Sequence, residues 1–166
     1  MAAWAQEHRH HRRIWITGGG PSAITAHEVA LKIKETSYLQ AEGLAIEAFL
    51  HGPFQCVESE DLFILIAPSG AAQSRVAEIG PMVRDIGANY LVVSDGTAEI
   101  LTSGSLAGGA AASIVVPRVP EPFSALTCLV PLQLFAYHLA LACGCDPDGF
   151  RKDDPRFAQA NARIKL

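Results

Sequence analysis

An α/β fold, three layers deep with a parallel sheet between helices, is what this sequence of 166 residues predicts. Two patterns carry the prediction. Short β-rich runs alternate with segments of helical period along most of the chain, the arrangement that builds a parallel sheet covered on both sides. One of those runs, Leu62-Phe63-Ile64-Leu65-Ile66-Ala67, is apolar without a break, as a strand buried on both faces must be.

The elements follow in order. Arg13-Ile14-Trp15-Ile16-Thr17 reads as a strand that stops at Gly18-Gly19-Gly20, and a helix begins near Pro21-Ser22. A second helix is expected from about Leu39 to Leu50, ending before His51. Strand Leu62 to Ala67 is followed by a helix from Ala71 to Ile86 and a strand at Tyr90-Leu91-Val92-Val93-Ser94. Glu99-Ile100-Leu101 is a weak edge segment, Ser113-Ile114-Val115-Val116 another strand, and a helix from about Ser124 to Cys143 closes the unit. No internal repeat or linker divides the chain. Residues 1–12 are a run-in segment, 13–150 one domain and 151–166 a C-terminal tail.

Nearly half the residues are apolar and 18% are charged, which excludes disorder for the bulk of the chain. A net charge of −4 without a basic stripe gives no electrostatic reason to expect nucleic acid. Cys56, Cys128, Cys143 and Cys145 lack zinc-site spacing and read as free thiols in a reducing, cytoplasmic compartment. The run from Ala125 to Ala142 is apolar enough to raise a membrane span, but it contains Pro131, Gln133 and His138 and reads better as a buried core helix. His8, His10 and His11 lack a fourth ligand and read as a flexible or helix-end solvated segment, so no metal is expected.

The helix after the first strand carries the chemistry. Glu28, Lys32 and Glu35, spaced i, i+4, i+7, form one stripe; Ala26, Val29, Ala30 and Ile33 form the opposite, apolar one. A carboxylate beside an ammonium, with His51-Gly52-Pro53 at the next loop, is equipment for moving protons. Glu28 ahead of Lys32 is also the favoured order of an ordinary surface pair.

Ligands of such sheets bind at the carboxyl ends of the strands, where strand order reverses. Gly19, Gly20 and Ser22 sit there, their amides available to an anion at a helix start, although the same glycines would serve a tight turn. They form no dinucleotide fingerprint. In Pro68-Ser69-Gly70-Ala71-Ala72-Gln73-Ser74, Ser69 reads first as a helix N-cap.

Ala30-Leu31-Lys32-Ile33-Lys34-Glu35-Thr36-Ser37-Tyr38, Ala41-Glu42 and His51-Gly52-Pro53, then Val130-Pro131-Leu132-Gln133-Leu134 and Ala136-Tyr137-His138-Leu139-Ala140, resemble SIS (sugar isomerase) domains. Among these they resemble the second SIS domain in the isomerase half of glutamine–fructose-6-phosphate transaminases. The resemblance covers about residues 12 to 150 and implies a flavodoxin-like (Rossmann-like) sheet. It implies roles too: Glu35 as the carboxylate shuttling a proton between C1 and C2 of an open-chain sugar, Lys32 as its electrostatic partner, and Glu28 as a supporting carboxylate. His51 matches a ring-opening histidine that reaches the neighbouring subunit's site.

Departures from that family pattern matter as well. Leu50 stands where the family writes a lysine before the histidine. Aligning Pro155-Arg156 with the family's Pro-Arg puts Ala160 at the lysine that forms a Schiff base with the ketose, and Lys165 fits only under a different gap. The family's phosphate loop lies mainly in a first SIS domain, so the resemblance implies one half of a two-domain unit, its partner domain upstream or in another chain. The expected function is a sugar-phosphate isomerase or aminosugar-phosphate enzyme needing no cofactor; the alternative is a non-catalytic module binding a phosphorylated sugar. A homodimer is expected, with the Leu39 to Leu50 helix near its interface because its apolar residues exceed one core contact.

Overall fold

The computed structural model describes residues 1–11, 13–96 and 111–164. Five strands, β1 (Arg13–Gly18), β2 (Gln40–Ala45), β3 (Leu62–Ile66), β4 (Asn89–Ser94) and β5 (Ala111–Val115), form one sheet in the order β2-β1-β3-β4-β5. Every pairing is parallel. This is the flavodoxin-like order, and its reversal falls between β1 and β3.

Strand alternation sorts the core into two layers. Ile14, Ile16, Leu62, Ile64, Leu91 and Val93 point to one face, where Val29 and Ile33 of α2 (Pro21–Ser37) and Leu132, Phe135 and Leu139 of α5 (Ser124–Ala142) cover them. Trp15, Phe63, Leu65, Tyr90 and Val92 point to the other. There Ile46 and Phe49 of the short α3 (Ile46–Leu50) and Val76, Ile79 and Val83 of α4 (Gln73–Ile86) cover them. Burial of so many fully enclosed aliphatic side chains, each contributing about 1.5–3 kcal/mol, supplies the driving force.

Close backbone approach sets the packing of α2 on β2. A Cβ on Gly43 would land on the Ala26 carbonyl and 2.6 Å from the His27 nitrogen, so only glycine fits that position. At the amino edge of the sheet, buried Asp61 accepts from Arg13 Nε (2.8 Å), Trp15 Nε1 (2.8 Å) and the Glu58 amide (3.0 Å). The one carboxylate thereby ties β1 to the loop before β3.

Several expectations need correction. Residues 39–50 are not one helix: Gln40–Ala45 is strand β2, and only Ile46–Leu50 is helical. Ala41 and Gly43 alternate with exposed Gln40 and Glu42, the period of a strand, and Ile46 and Phe49 are absorbed into the α4 side of the core. Those residues therefore leave no apolar surplus.

The N-terminal segment is helical rather than flexible, and His8 at the helix end is buried rather than solvated. The segment forms α1 (Ala2–His8), which docks on α5 through Ala5 and through Trp4, whose ring lies 4.8 Å from Phe135. His8 is 2% exposed, and its Nδ1 pairs with His11 Nε2 at 3.0 Å.

Ser69 does not cap α4, which begins four residues later with Ala72 as cap residue; the Ser69 amide donates instead to Asp95 Oδ2 at 3.1 Å. The tail contains a further helix, α6 (Pro155–Asn161). Residues 99–101 and Lys165 lie outside the described residues.

Helix α5 is buried on only one side. Leu126, Val130, Leu134, Tyr137 and Leu141 recur along its outer side, between 46% and 72% exposed. Gln133 lies on that exposed side too, so the helix is not buried all round as expected. Among the described residues, 121–142 form the stretch long and apolar enough to cross a membrane by length and composition, but the inner side of α5 belongs to the core.

Candidate functional site

The apolar stripe of α2 faces the sheet, as the sequence requires, so Glu28, Lys32 and Glu35 are turned outward. Lys32 Nζ lies 2.9 Å from Glu35 Oε2 and 3.7 Å from Glu28 Oε1. Each of the three side chains is about one-third exposed. The hydrogen bond to Glu35, followed by the charges of Glu35 and Glu28, pushes the Lys32 pKa upward and keeps the ammonium charged. That ammonium fixes Glu35 Oε2 and leaves Oε1 without a hydrogen bond among the described residues. A carboxylate so held can act as a proton acceptor beside a fixed positive charge.

Glu35 borders a cavity of about 400 Å³ between the end of α2 and the C-terminal tail, walled by Tyr38, Phe150, Arg151 and Phe157. Lys32 borders a second cavity of about 250 Å³ against Gln133 and Tyr137 of α5. Tyr38 ends α2 in the left-handed region (φ 60°), and its hydroxyl accepts the Arg151 amide at 2.7 Å. The Arg151 guanidinium lies 4.9 Å from the Tyr38 ring and 4.1 Å from that of Phe157. Sequence reasoning missed Tyr38, Arg151 and Phe157 as neighbours of Glu35, since no spacing links position 38 to a tail more than a hundred residues on.

His51 is elsewhere. It follows α3 on the carboxyl side of β2, 77% exposed, whereas Glu35 lies beside Gln40 at the strand's amino end. Its Nδ1 is 2.8 Å from the Glu47 carbonyl, and a carbonyl only accepts, so Nδ1 is the donor. Glu47 is held by Arg75 at 2.7 Å, an ion pair that lowers its pKa. Within one chain the structure joins Glu28, Lys32 and Glu35 but not His51.

Gly19, Gly20 and Ser22 occupy the β1/β3 crevice, as expected, at the other end of α2 from Glu35. The thirteen helical steps from Ser22 to Glu35 put the two about 20 Å apart along the axis. The crevice is narrow: a Cβ on Gly19 would run into that of Ala72. It also holds a carboxylate of the chain itself, since Glu121 Oε1 accepts the Ala71 amide at 3.2 Å and lies against Gly70 and Gly20. Ser22 is buried, packed so near Gly18 that a Cβ there would sit 2.7 Å away.

The SIS domain family model matches residues 8–143. The chain belongs to the SIS domain family. Over 137 residues this SIS domain is 36% identical to glutamine–fructose-6-phosphate aminotransferase (isomerizing) of Thermococcus kodakarensis, a match covering 82% of the chain and 22% of that relative. The chain therefore spans about a fifth of the relative's length.

Among solved structures, the SIS domain is similar to the C-terminal domain of glucosamine-fructose-6-phosphate aminotransferase from Francisella tularensis, with a TM-score of 0.75 at 21% identity. That match covers 89% of this chain and 40% of the other. Tagatose-6-phosphate ketose/aldose isomerase from Escherichia coli gives 0.70 at 21% identity, covering 89% and 41%. At these identities the structural likeness establishes the fold, which is the expected parallel three-layer one.

Proposed function

We propose that this SIS domain moves a proton between C1 and C2 of a phosphorylated hexose or its amine, with Glu35 as base. The observation that carries the reading is the Lys32–Glu35 pair at 2.9 Å, whose carboxylate borders the cavity between the end of α2 and the C-terminal tail. It stands at the positions where the sequence resembles the isomerase half of the transaminases, and the relative named above acts on fructose 6-phosphate by its name.

In this mechanism Glu35 accepts the C2 proton of the open-chain aldose, the C–H electrons form the C1=C2 bond, and negative charge develops on O1. Returning the proton to C1, while the O2 hydroxyl proton passes to O1 and C2=O forms, completes the ketose. Lys32 keeps Glu35 oriented and stabilises its charge. An enediol route of this kind needs only a base and a stabilised oxyanion.

A second SIS domain, upstream or on another chain, completes the site. Ile24 (70% exposed) and Leu31 (42%) share the outward face of α2 with Glu28 and Glu35. A partner seated on that surface buries it and closes over Glu35. In this reading His51, at the far end of β2 from Glu35, serves a neighbour's site. A homodimer is the simplest assembly providing both contacts.

Calorimetry with hexose 6-phosphates and their 2-amines, paired with solvent-deuterium exchange at C2, tests the reading. Binding with exchange supports the enzyme. Binding without exchange supports the non-catalytic module that Leu50 and Ala160, at positions where the resemblance implies lysines, would suit.

A further inference from the structure

The cavity beside Glu35 contains a cation that the mechanism above does not use. The guanidinium carbon of Arg151 lies over two rings, 4.9 Å from the centre of Tyr38 and 4.1 Å from that of Phe157. Its backbone is fixed as well: Phe150 and Arg151 both adopt positive φ (46° and 58°), and the Arg151 amide is donated to the Tyr38 hydroxyl at 2.7 Å. Stacking occupies the faces of a guanidinium and leaves its N–H edge, the part that recognises planar or tetrahedral oxyanions. Among the described residues no carboxylate lies within ion-pair distance of that edge. Lys34 and Asn161 line the same cavity, so Glu35 is its single acidic wall. A volume of about 400 Å³ admits a hexose derivative in contact with Glu35 and Arg151 together.

We propose that Arg151 is an oxyanion-binding residue of this cavity, holding a negatively charged oxygen of the sugar derivative on which Glu35 acts. The proposal rests on the functional reading above. Two oxygens of one ligand offer this chemistry: the phosphate, and the O1 on which charge develops when Glu35 takes the C2 proton. Rings that pin the guanidinium make it a preorganised donor in either case.

The test compares the wild-type chain with Arg151→Gln, Arg151→Lys and Phe157→Ala, using glucose 6-phosphate and inorganic phosphate as probes. If the phosphate is the group held, Arg151→Gln weakens glucose 6-phosphate binding about tenfold or more and abolishes competition by inorganic phosphate. If developing charge on O1 is held, binding stays within twofold while C2 deuterium exchange falls about 10²-fold, and added guanidinium ion restores part of it. Arg151→Lys keeps the charge without the fork and falls between. Phe157→Ala removes one wall and produces a smaller loss in the same parameter.

Binding and exchange both unchanged in Arg151→Gln would overturn the proposal and leave the role of Glu35 intact. Equal thermal destabilisation of all three variants with unaltered binding and exchange would overturn it too, making Arg151 a strap for the tail. A wild-type chain that neither binds nor exchanges would overturn the functional reading first, and the proposal with it.

Discussion

Lys32 holds Glu35 at 2.9 Å along one face of α2, and Glu28 stands one turn back at 3.7 Å from the same ammonium. Pairs so exposed contribute little to folding, about 0.2–0.5 kcal/mol each. Their cost of removal should therefore appear in chemistry. Lys32→Met is expected to leave the melting temperature within about 2 °C and to slow C2 exchange about 10-fold to 10²-fold. A calorimetric melt beside the exchange assay checks both.

Acid sensitivity should originate at the N-terminus. Burial, and secondly the charge of His11, lowers the His8 pKa below its ordinary value of about 6.5 in the folded chain. Below pH 6.5 the unfolded chain binds a proton that the folded chain resists, so stability is lost as pH falls through that value and regained as it rises. His8→Phe keeps an aromatic ring beside Trp4 and removes the titration; its melting temperature should change less between pH 7.5 and about 5.5 than that of the wild type.

Gly43 is the tightest point between β2 and α2. Gly43→Ala drives a methyl into the Ala26 carbonyl and is expected to destabilise by about 3 kcal/mol, measured as a shifted urea midpoint.

Most of the sheet was legible because its strands are continuous apolar runs bounded by Gly and Pro, a signal that survives without context. Residues 39–50 were harder. Ala41, Glu42, Ala45, Glu47 and Ala48 are good helix formers, and the period-two burial of Ala41 and Gly43 extends over too few residues to outweigh that propensity. The stripe of Glu28, Lys32 and Glu35 was readable because α2 is a regular helix. Arg151 was not, because its place beside Tyr38 depends on left-handed backbone at non-glycine residues. The separation of His51 from Glu35 likewise follows from β2 running between them, and so could not be read while that strand was taken for helix.

Association should depend on the outer side of α5. Leu134, 50% exposed at the middle of the apolar row, is a position where Glu fits without touching the core. Light scattering should give a dimer mass for the wild type at about 50 μM and a monomer mass for Leu134→Glu. A monomeric wild type would leave His51 without a neighbour to serve.

The most direct measurement is deuterium incorporation at C2 of glucose 6-phosphate in D₂O, followed by proton NMR with the wild-type chain and with Glu35→Gln. Glu35→Gln preserves the shape of the side chain and removes the base, so the account predicts exchange with the wild type and a loss of about 10²-fold or more in the variant. Equal exchange by the two proteins, with binding of the sugar phosphate intact, would contradict the assignment of Glu35 as the group that moves the proton.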